Sequence, residues 1–366
     1  MGLFENLVRK GGFDKADTIK ESRTPNKKER RFIEHTLNIP IHRFRDLNSY
    51  MEAGTGKVWA SFRSCHLVGS VFMSTKFMPV FDNDAERTVP DDNFVWSYLQ
   101  RPNPFDSWKE LIYQWVFHIK LTGMAFWLKD EMDGNGVPRN IYPLPPQMVK
   151  IVPDVKDNIS HFIFSVNGRE IKIERDEMIF FRRPHPSKPV QGLGDIEPSE
   201  SLYNDFINRD NFEEKFFENG AQPSGILTLK DENVDPDEFD KVKALWKREY
   251  EGSDNTGKTA FLTGEWTYQQ LGLSNSDMQM IESSKLNVEQ IFMNHGVPLS
   301  IAGVRDSANY ATAKLEELNF KKYEIVPLLS LMIAKLNQEG VLVKLVDSKI
   351  SLSHHLSGLI DVQQVV

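Results

Sequence analysis

Two long helical stretches that bracket a short β-rich insertion constrain this chain more than any other feature. Residues 198–219 carry Leu202, Tyr203, Phe206, Ile207, Phe212, Phe216 and Phe217, and stop at Asn219-Gly220 as a helix end should. At 1.5 Å per residue such a helix is a rod roughly 33 Å long. The second stretch opens at Ser274 to Asp277, turns Met278, Ile281, Val288 and Phe292 inward, and is stopped by Gly296 and Pro298. Between them lie a strand (Ser224 to Leu229), a helix opened by the capping box Asp235-Pro236-Asp237-Glu238, and strands at Thr259 to Thr263 and Trp266 to Leu271. Residues 221–272 therefore read as a small β-α-β unit. A last long helix is expected over Asn309 to Asn337, kinked at Pro327.

The first half has a different texture. Residues 1–58 are polar and irregular, and Lys27-Lys28-Glu29-Arg30-Arg31 reads as a solvated arm. Residues 59–80 can form a helix, and Pro90-Asp91-Asp92 opens a short one. Asn103-Pro-Phe-Asp-Ser-Trp108 starts a longer helix with Leu111, Trp115, His118 and Ile119 on one face, where His118 reads as a satisfied core residue. After Gly123 the pattern switches to strands at Ala125 to Lys129, from Ile141, at Met148 to Val152, His161 to Val166, Glu170 to Ile173 and Met178 to Phe181. Turn signals at Asp133-Gly-Asn-Gly136 and Asn167-Gly168 separate them. Strands in antiparallel runs that do not alternate with helices define an α+β class.

Composition narrows the function classes. With 366 residues, 40% hydrophobic and 26% charged, the chain has globular proportions and enough length for two or three domains. Its longest nearly apolar run, Ile325 to Ala334, falls short of the ~18 residues a membrane span needs. Glu5, Arg9 and Lys10 interrupt any signal-peptide core, and Asn6 stands where a myristoylation motif needs Ser or Thr, so a soluble intracellular protein is expected. The single cysteine, Cys65, excludes a disulfide framework within the chain and reads as a buried residue. A net charge of -8 argues against tight gripping of nucleic acid over the whole surface, but not against letting it slide past.

Catalytic motifs mostly fail on context. Gly252-Ser-Asp-Asn-Thr-Gly257-Lys258-Thr259 satisfies the phosphate-loop spacing, yet a capped helix precedes it and a β-prone segment follows, the reverse of the strand-loop-helix order that aims backbone N–H groups at phosphates. A polar turn is the better reading, and a nucleotide-dependent enzyme using Gly252 to Thr259 stays as the alternative. His354 and His355 are adjacent and would project to opposite faces of a strand, and no G-x-S-x-G elbow occurs. Arg182-Arg183-Pro184-His185 could hold an anion but reads as a surface turn. No catalytic centre, metal site or cofactor site is expected.

Read as an ordered string of motifs, the second half resembles the portal, or head-to-tail connector, proteins of tailed bacteriophages. Phe216-Phe-Glu-Asn-Gly-Ala-Gln-Pro-Ser-Gly-Ile-Leu227 looks like the family's F-F-x-N-G-A-x-P-x-G-x-L segment. Trp246, Gly252 to Lys258 and Phe261-Leu262 match its W…G…N-x-G-K…L stretch. Gly296-Val-Pro-Leu-Ser-Ile-Ala-Gly303 after Phe292 is similar to F-G-V-P-P-x-L-L-G, and Asn309-Tyr-Ala-Thr-Ala-Lys-Leu-Glu316, Phe320 and Pro327 follow in order. Asn103-Pro, Leu121-Thr-Gly123-Met-Ala125-Phe126, Tyr142-Pro-Leu-Pro-Pro146 and Gly192-Leu-Gly194 fit more loosely, giving coverage of about residues 60–340. Met124, Leu299 and Asp195 depart from the usual Asn, Pro and Ser-Pro.

The resemblance implies a ring, typically of twelve subunits, around a channel for double-stranded DNA at one capsid vertex, in a virion structural protein without enzymatic activity. On this chain it implies an N-terminal arm (1–58), an α+β wing (59–197), stem helices (198–220 and 273–295) and a clip (221–272). A tunnel loop (296–309), a wing helix (310–340) and a short crown-like end (341–366) complete it. Val297, Pro298, Gly303, Arg305, Asp306, Ser307 and Asn309 would collar the DNA without base readout. Asp231, Glu232, Phe239, Lys243, Trp246 and Lys258 on the clip would dock partners. Those partners are a terminase motor, capsid or scaffold protein and a head-completion adaptor, with no membrane. Another virion structural or adaptor role is the remaining alternative.

Overall fold

A computed structural model describes residues 45–81, 84–88, 100–132, 138–154, 158–218, 225–229, 240–241, 243–245, 266–270, 286–304, 310–339 and 350–355. It divides into two compact units, one formed by residues 1–200 with 291–366, the other by residues 201–290. Among the described residues every strand pair is antiparallel, as the α+β reading expects.

The first unit is built around α3 (Trp108–Thr122), which follows α1 (Arg45–Glu52) and α2 (Trp59–Ser74). Ser107 caps α3 through a capping box with Glu110: the Ser107 N–H donates to Glu110 Oε2 at 2.7 Å while Glu110 N–H donates back to the Ser107 hydroxyl. The helix thus begins at Trp108, several residues after Asn103. Asn103 instead braces the entry turn, its Oδ1 accepting from the N–H groups of Phe105 and Asp106 and its Nδ2 donating to the Ile141 carbonyl. Leu111, Trp115, His118 and Ile119 are buried as expected, but so are Ile112, Val116 and Leu121, because α3 is covered on more than one side.

The sheet β4-β3-β8 (Pro138–Leu144, Met124–Met132, Met178–Arg182) covers one side of it. Successive residues of β3 point to opposite faces. Trp127 meets Trp108 of α3 with ring centroids 5.8 Å apart and Phe181 at 4.8 Å, while Phe126 meets Phe162 at 5.9 Å on the other face. Phe162 belongs to the second sheet, β5-β6-β7 (Val149–Asp154, Asn158–Val166, Arg169–Glu174), so β3 lies between a helix and another sheet. Each of these buried aromatic side chains contributes about 1.5–3 kcal/mol of apolar transfer. Asn167 and Gly168 close the β6-β7 hairpin with φ of 48° and 75°.

A third sheet corrects the sequence reading of residues 59–80. The helix ends at Ser74, and Lys76–Phe81 is a strand, β1, flanked by β2 (Asp84–Thr88) and β11 (Ile350–His355). Phe77 pairs with His354 and Lys76 with His355. The strand forms because a partner from the far end of the chain supplies its ladder, which local periodicity cannot reveal. Residues 89–99, including Pro90, lie outside the described residues.

In the second unit, α4 (Glu200–Glu218) buries Tyr203 and Phe206 on one face. Strands β9 (Gly225–Leu229) and β10 (Trp266–Gln270) pair antiparallel, Leu227 opposite Tyr268, with helical residues 240–241 and 243–245 between them in sequence. The expected capping box at Asp235, the ends of both stem helices at Asn219 and Ser274, and the strand at Thr259 lie outside the described residues. A helix over 286–294 (α5) leads back to the first unit, followed by the single turn α6 (Leu299–Ala302), α7 (Tyr310–Phe320) and α8 (Val326–Gln338). The expected irregularity at Pro327 is a π-helical turn, Lys321–Ile325, joining α7 to α8. Proline has no N–H for the preceding turn and its ring crowds the carbonyl four residues back, so a wider turn relieves both.

Candidate functional site

Three glycines bring the end of α3 and a distant loop into backbone contact. Gly123 closes α3 in the left-handed region, φ 74°, and its carbonyl accepts from Arg183 N–H at 2.9 Å. The chain then turns through Pro184 and Gly192, and a side chain at Gly192 or Gly194 would run into the carbonyls of Gly123 and Leu121. That close approach lets Asp195 N–H donate to the Lys120 carbonyl at 2.7 Å, placing the two side chains together.

The result is a buried ion network. Lys120 Nζ lies 2.7 Å from Asp195 Oδ2, donates to the His295 carbonyl at 2.9 Å, and pairs with Glu324 of the π turn. Arg183 pairs with the other Asp195 oxygen. His295 Nδ1 is 2.9 Å from Asp195 Oδ2 and its Nε2 is 2.8 Å from Ser61 Oγ. A carboxylate only accepts, so Nδ1 carries the proton and Nε2 accepts from the Ser61 hydroxyl. The Asp195 carbonyl accepts from Asn294 Nδ2 at 2.7 Å and Ser199 Oγ at 2.8 Å.

Burial pushes the Asp195 carboxyl upward, but Lys120, His295 and Arg183 outweigh it and hold the group well below the usual carboxylate range. Burial likewise lowers Lys120, and Asp195 with Glu324 more than restore it. His295 is pulled below its ordinary value by burial, only partly offset by Asp195, and is neutral. Two cations and two anions therefore balance.

Ser61, His295 and Asp195 follow the order of a nucleophile, base and orienting acid. Ser61 and His295 are fully buried, however, and Asp195 is already committed to Lys120 and Arg183. The arrangement fastens α2, α3, the 195 loop and the end of α5 to one another. Among the described residues, no group of three His, Cys, Asp or Glu is placed to hold a metal, and no helix is long and apolar enough to cross a membrane.

The helix over 286–294 ends on this network. Val297 N–H donates to Phe292 O and Gly296 N–H to Met293 O, both at 2.9 Å, with Gly296 at φ 66°; this is a Schellman cap. Of the tunnel-loop residues expected from the sequence, Val297 is buried in the subunit, Pro298 precedes the turn Leu299–Ala302, and Gly303 closes that turn at φ 79°. The Ser300 hydroxyl donates to Glu316 of α7. Arg305, Asp306, Ser307 and Asn309 lie outside the described residues, as do Asp231, Glu232, Phe239, Trp246 and Lys258; Lys243 is helical and exposed. The phosphate-loop-like segment 252–259 is outside them too.

The family model for phage portal proteins matches residues 73–363. The chain belongs to the phage portal protein family. Its fold is shared with a protein from the neck of an empty gene transfer agent particle, at TM-score 0.66 and 23% identity over 87% of each chain. It is shared also with an HK97-family phage portal protein from Corynebacterium diphtheriae, at TM-score 0.58 and 17% identity over 84% of this chain and 95% of that one. Uncharacterised proteins of Rickettsia bellii (strain RML369-C) and Rickettsia felis (strain ATCC VR-1525 / URRWXCal2) are 26% and 25% identical over 63% of this portal-family chain, which spans 61% of their own length.

Sequence reasoning missed the network. Asp195 stood out only as a departure from the portal pattern, and Arg183 only as part of a surface turn; its anion is the internal Asp195. His118 is buried as expected but, among the described residues, its Nδ1 has no hydrogen-bond partner, and burial lowers it to about 4. Cys65 is buried and its thiol pushed far up by burial, as befits an inert residue.

Proposed function

We propose that this chain is the subunit of a portal ring at one capsid vertex, through which double-stranded DNA enters and leaves. The family match across residues 73–363 is the observation that carries this reading. The fold shared with proteins of gene transfer agent necks, described with sixfold symmetry in an empty particle and with twelvefold symmetry in a native one, supports it. The ring is built from heterologous contacts between copies, which close when the rotation per subunit divides a full turn.

In this reading residues 296–309 face the channel, with Pro298, Gly303, Arg305, Asp306, Ser307 and Asn309 as the DNA collar and Val297 as its buried anchor. The segment 221–272 is the clip that docks a terminase motor and later a head-completion adaptor, and the wing meets capsid or scaffold protein. The role is structural: energy for translocation comes from a separate ATPase. Weak phosphate contact suits the task, because each added contact deepens the well that moving DNA must leave, and a net charge of -8 agrees with it. Light scattering on the purified full chain tests the assembly, with a mass many times the 42.2 kDa subunit expected. A monomer at every concentration, with or without scaffold protein, overturns it.

A further inference from the structure

Of the three groups around Lys120, only Glu324 reaches solvent: its side chain is 18% exposed, against 4% for Asp195, and His295 is fully buried. Glu324 is also the only one carried by an irregular helix. It sits in the π turn Lys321–Ile325, where the backbone holds one residue more per turn than α7 before it and α8 after it. A π turn can convert to α geometry by shifting its hydrogen bonds one residue, which rotates the side chains it carries by roughly 100°. In the π turn as it stands, Glu324 is aimed at Lys120.

The same carboxylate lies against Gly296, at the start of the segment 296–304. That segment meets the helix at two places: at Gly296, against which the Glu324 carboxylate lies beside the Lys120-held His295 carbonyl, and at Ser300, which donates to Glu316. We propose that the Lys120–Glu324 contact is a conformational latch, which when closed holds the π turn against Gly296, and when open frees the π turn and leaves the 296–304 segment held to the helix through Ser300 and Glu316. The remaining members, Asp195, Arg183, His295 and Ser61, stay assembled when it opens, because Lys120 keeps Asp195 and the His295 carbonyl as partners. All of these residues lie in one unit of one subunit, so the latch stands whether or not rings form.

Hydrogen exchange on the full-length wild type, Glu324→Gln and Glu324→Asp, compared at one oligomeric state, tests this. Glutamine removes the charge and aspartate the reach. Exchange of the amides in 321–326 is expected to rise roughly tenfold or more in both variants, while the 296–304 segment, β3, β4 and β8 keep wild-type protection. Unchanged exchange in 321–326 overturns the proposal. So does an equal rise in β3 and β8, or failure of both variants to fold, since either makes the contact a support of the whole core and not a latch.

Discussion

Glu324 lies against the bare α-carbon of Gly296, where a Cβ would stand 2.6 Å from Glu324 Oε2. Gly296 is thus required by its positive φ in the Schellman cap, and the Glu324 carboxylate beside it would have to shift to admit a side chain. Gly296→Ala is expected to cost about 1–3 kcal/mol from the left-handed backbone alone, with the contact adding to it. Thermal melting measures the loss; a variant as stable as wild type contradicts the geometry.

Lys120 is the cation on which the network closes. Lys120→Met leaves Glu324 without its cation and Asp195 with Arg183 and neutral His295, and removal of one partner from a buried pair costs about 3–5 kcal/mol. Denaturant unfolding is expected to show a loss of that order, whereas Lys57→Met, at the exposed pair with Glu52, is expected to change little.

His118 gives a pH signature. Burial holds its imidazole at about 4, against an ordinary 6.5, so between those values the unfolded chain takes up a proton that the folded chain refuses. Stability is unaffected above about pH 6.5 and falls as pH drops toward 4, by up to about 3 kcal/mol at 1.36 kcal/mol per unit. His118→Leu is expected to remove that part of the slope in denaturant melts at pH 7, 5.5 and 4.5. An unchanged slope would place a proton acceptor elsewhere.

Arg305 carries the test of the proposed DNA collar. Arg305→Glu is expected to change DNA packaging or retention in particles while rings still assemble, as seen by particle DNA content beside ring yield. Loss of ring assembly would make the segment a structural joint.

The sequence read well where the physics is local. The Asn167-Gly168 hairpin, the α3 face through Leu111 and Trp115, and the Gly296 stop follow from turn chemistry and periodicity within a few residues. Motif order also carried the family, because portal-like segments recur along the chain even where no single one decides. What stayed hidden depends on distant partners. β1 was read as helix because its ladder comes from Ile350–His355, and Lys120 lies on α3 among apolar neighbours with nothing local to mark it. Its counter-ions sit 75 and 204 residues away along the chain, at Asp195 and Glu324. The one available signal was glycine: Gly123, Gly192 and Gly194 mark a backbone approach that only small residues permit, and Asp195 is the next residue.

Electron microscopy of the purified full chain, with class averages examined for a closed ring and a central hole, bears most directly on the portal-ring reading. Rings of a single rotational symmetry, with an opening wide enough for a DNA duplex, are expected. Compact particles without a hole, in the presence of scaffold protein as well as in its absence, would contradict it.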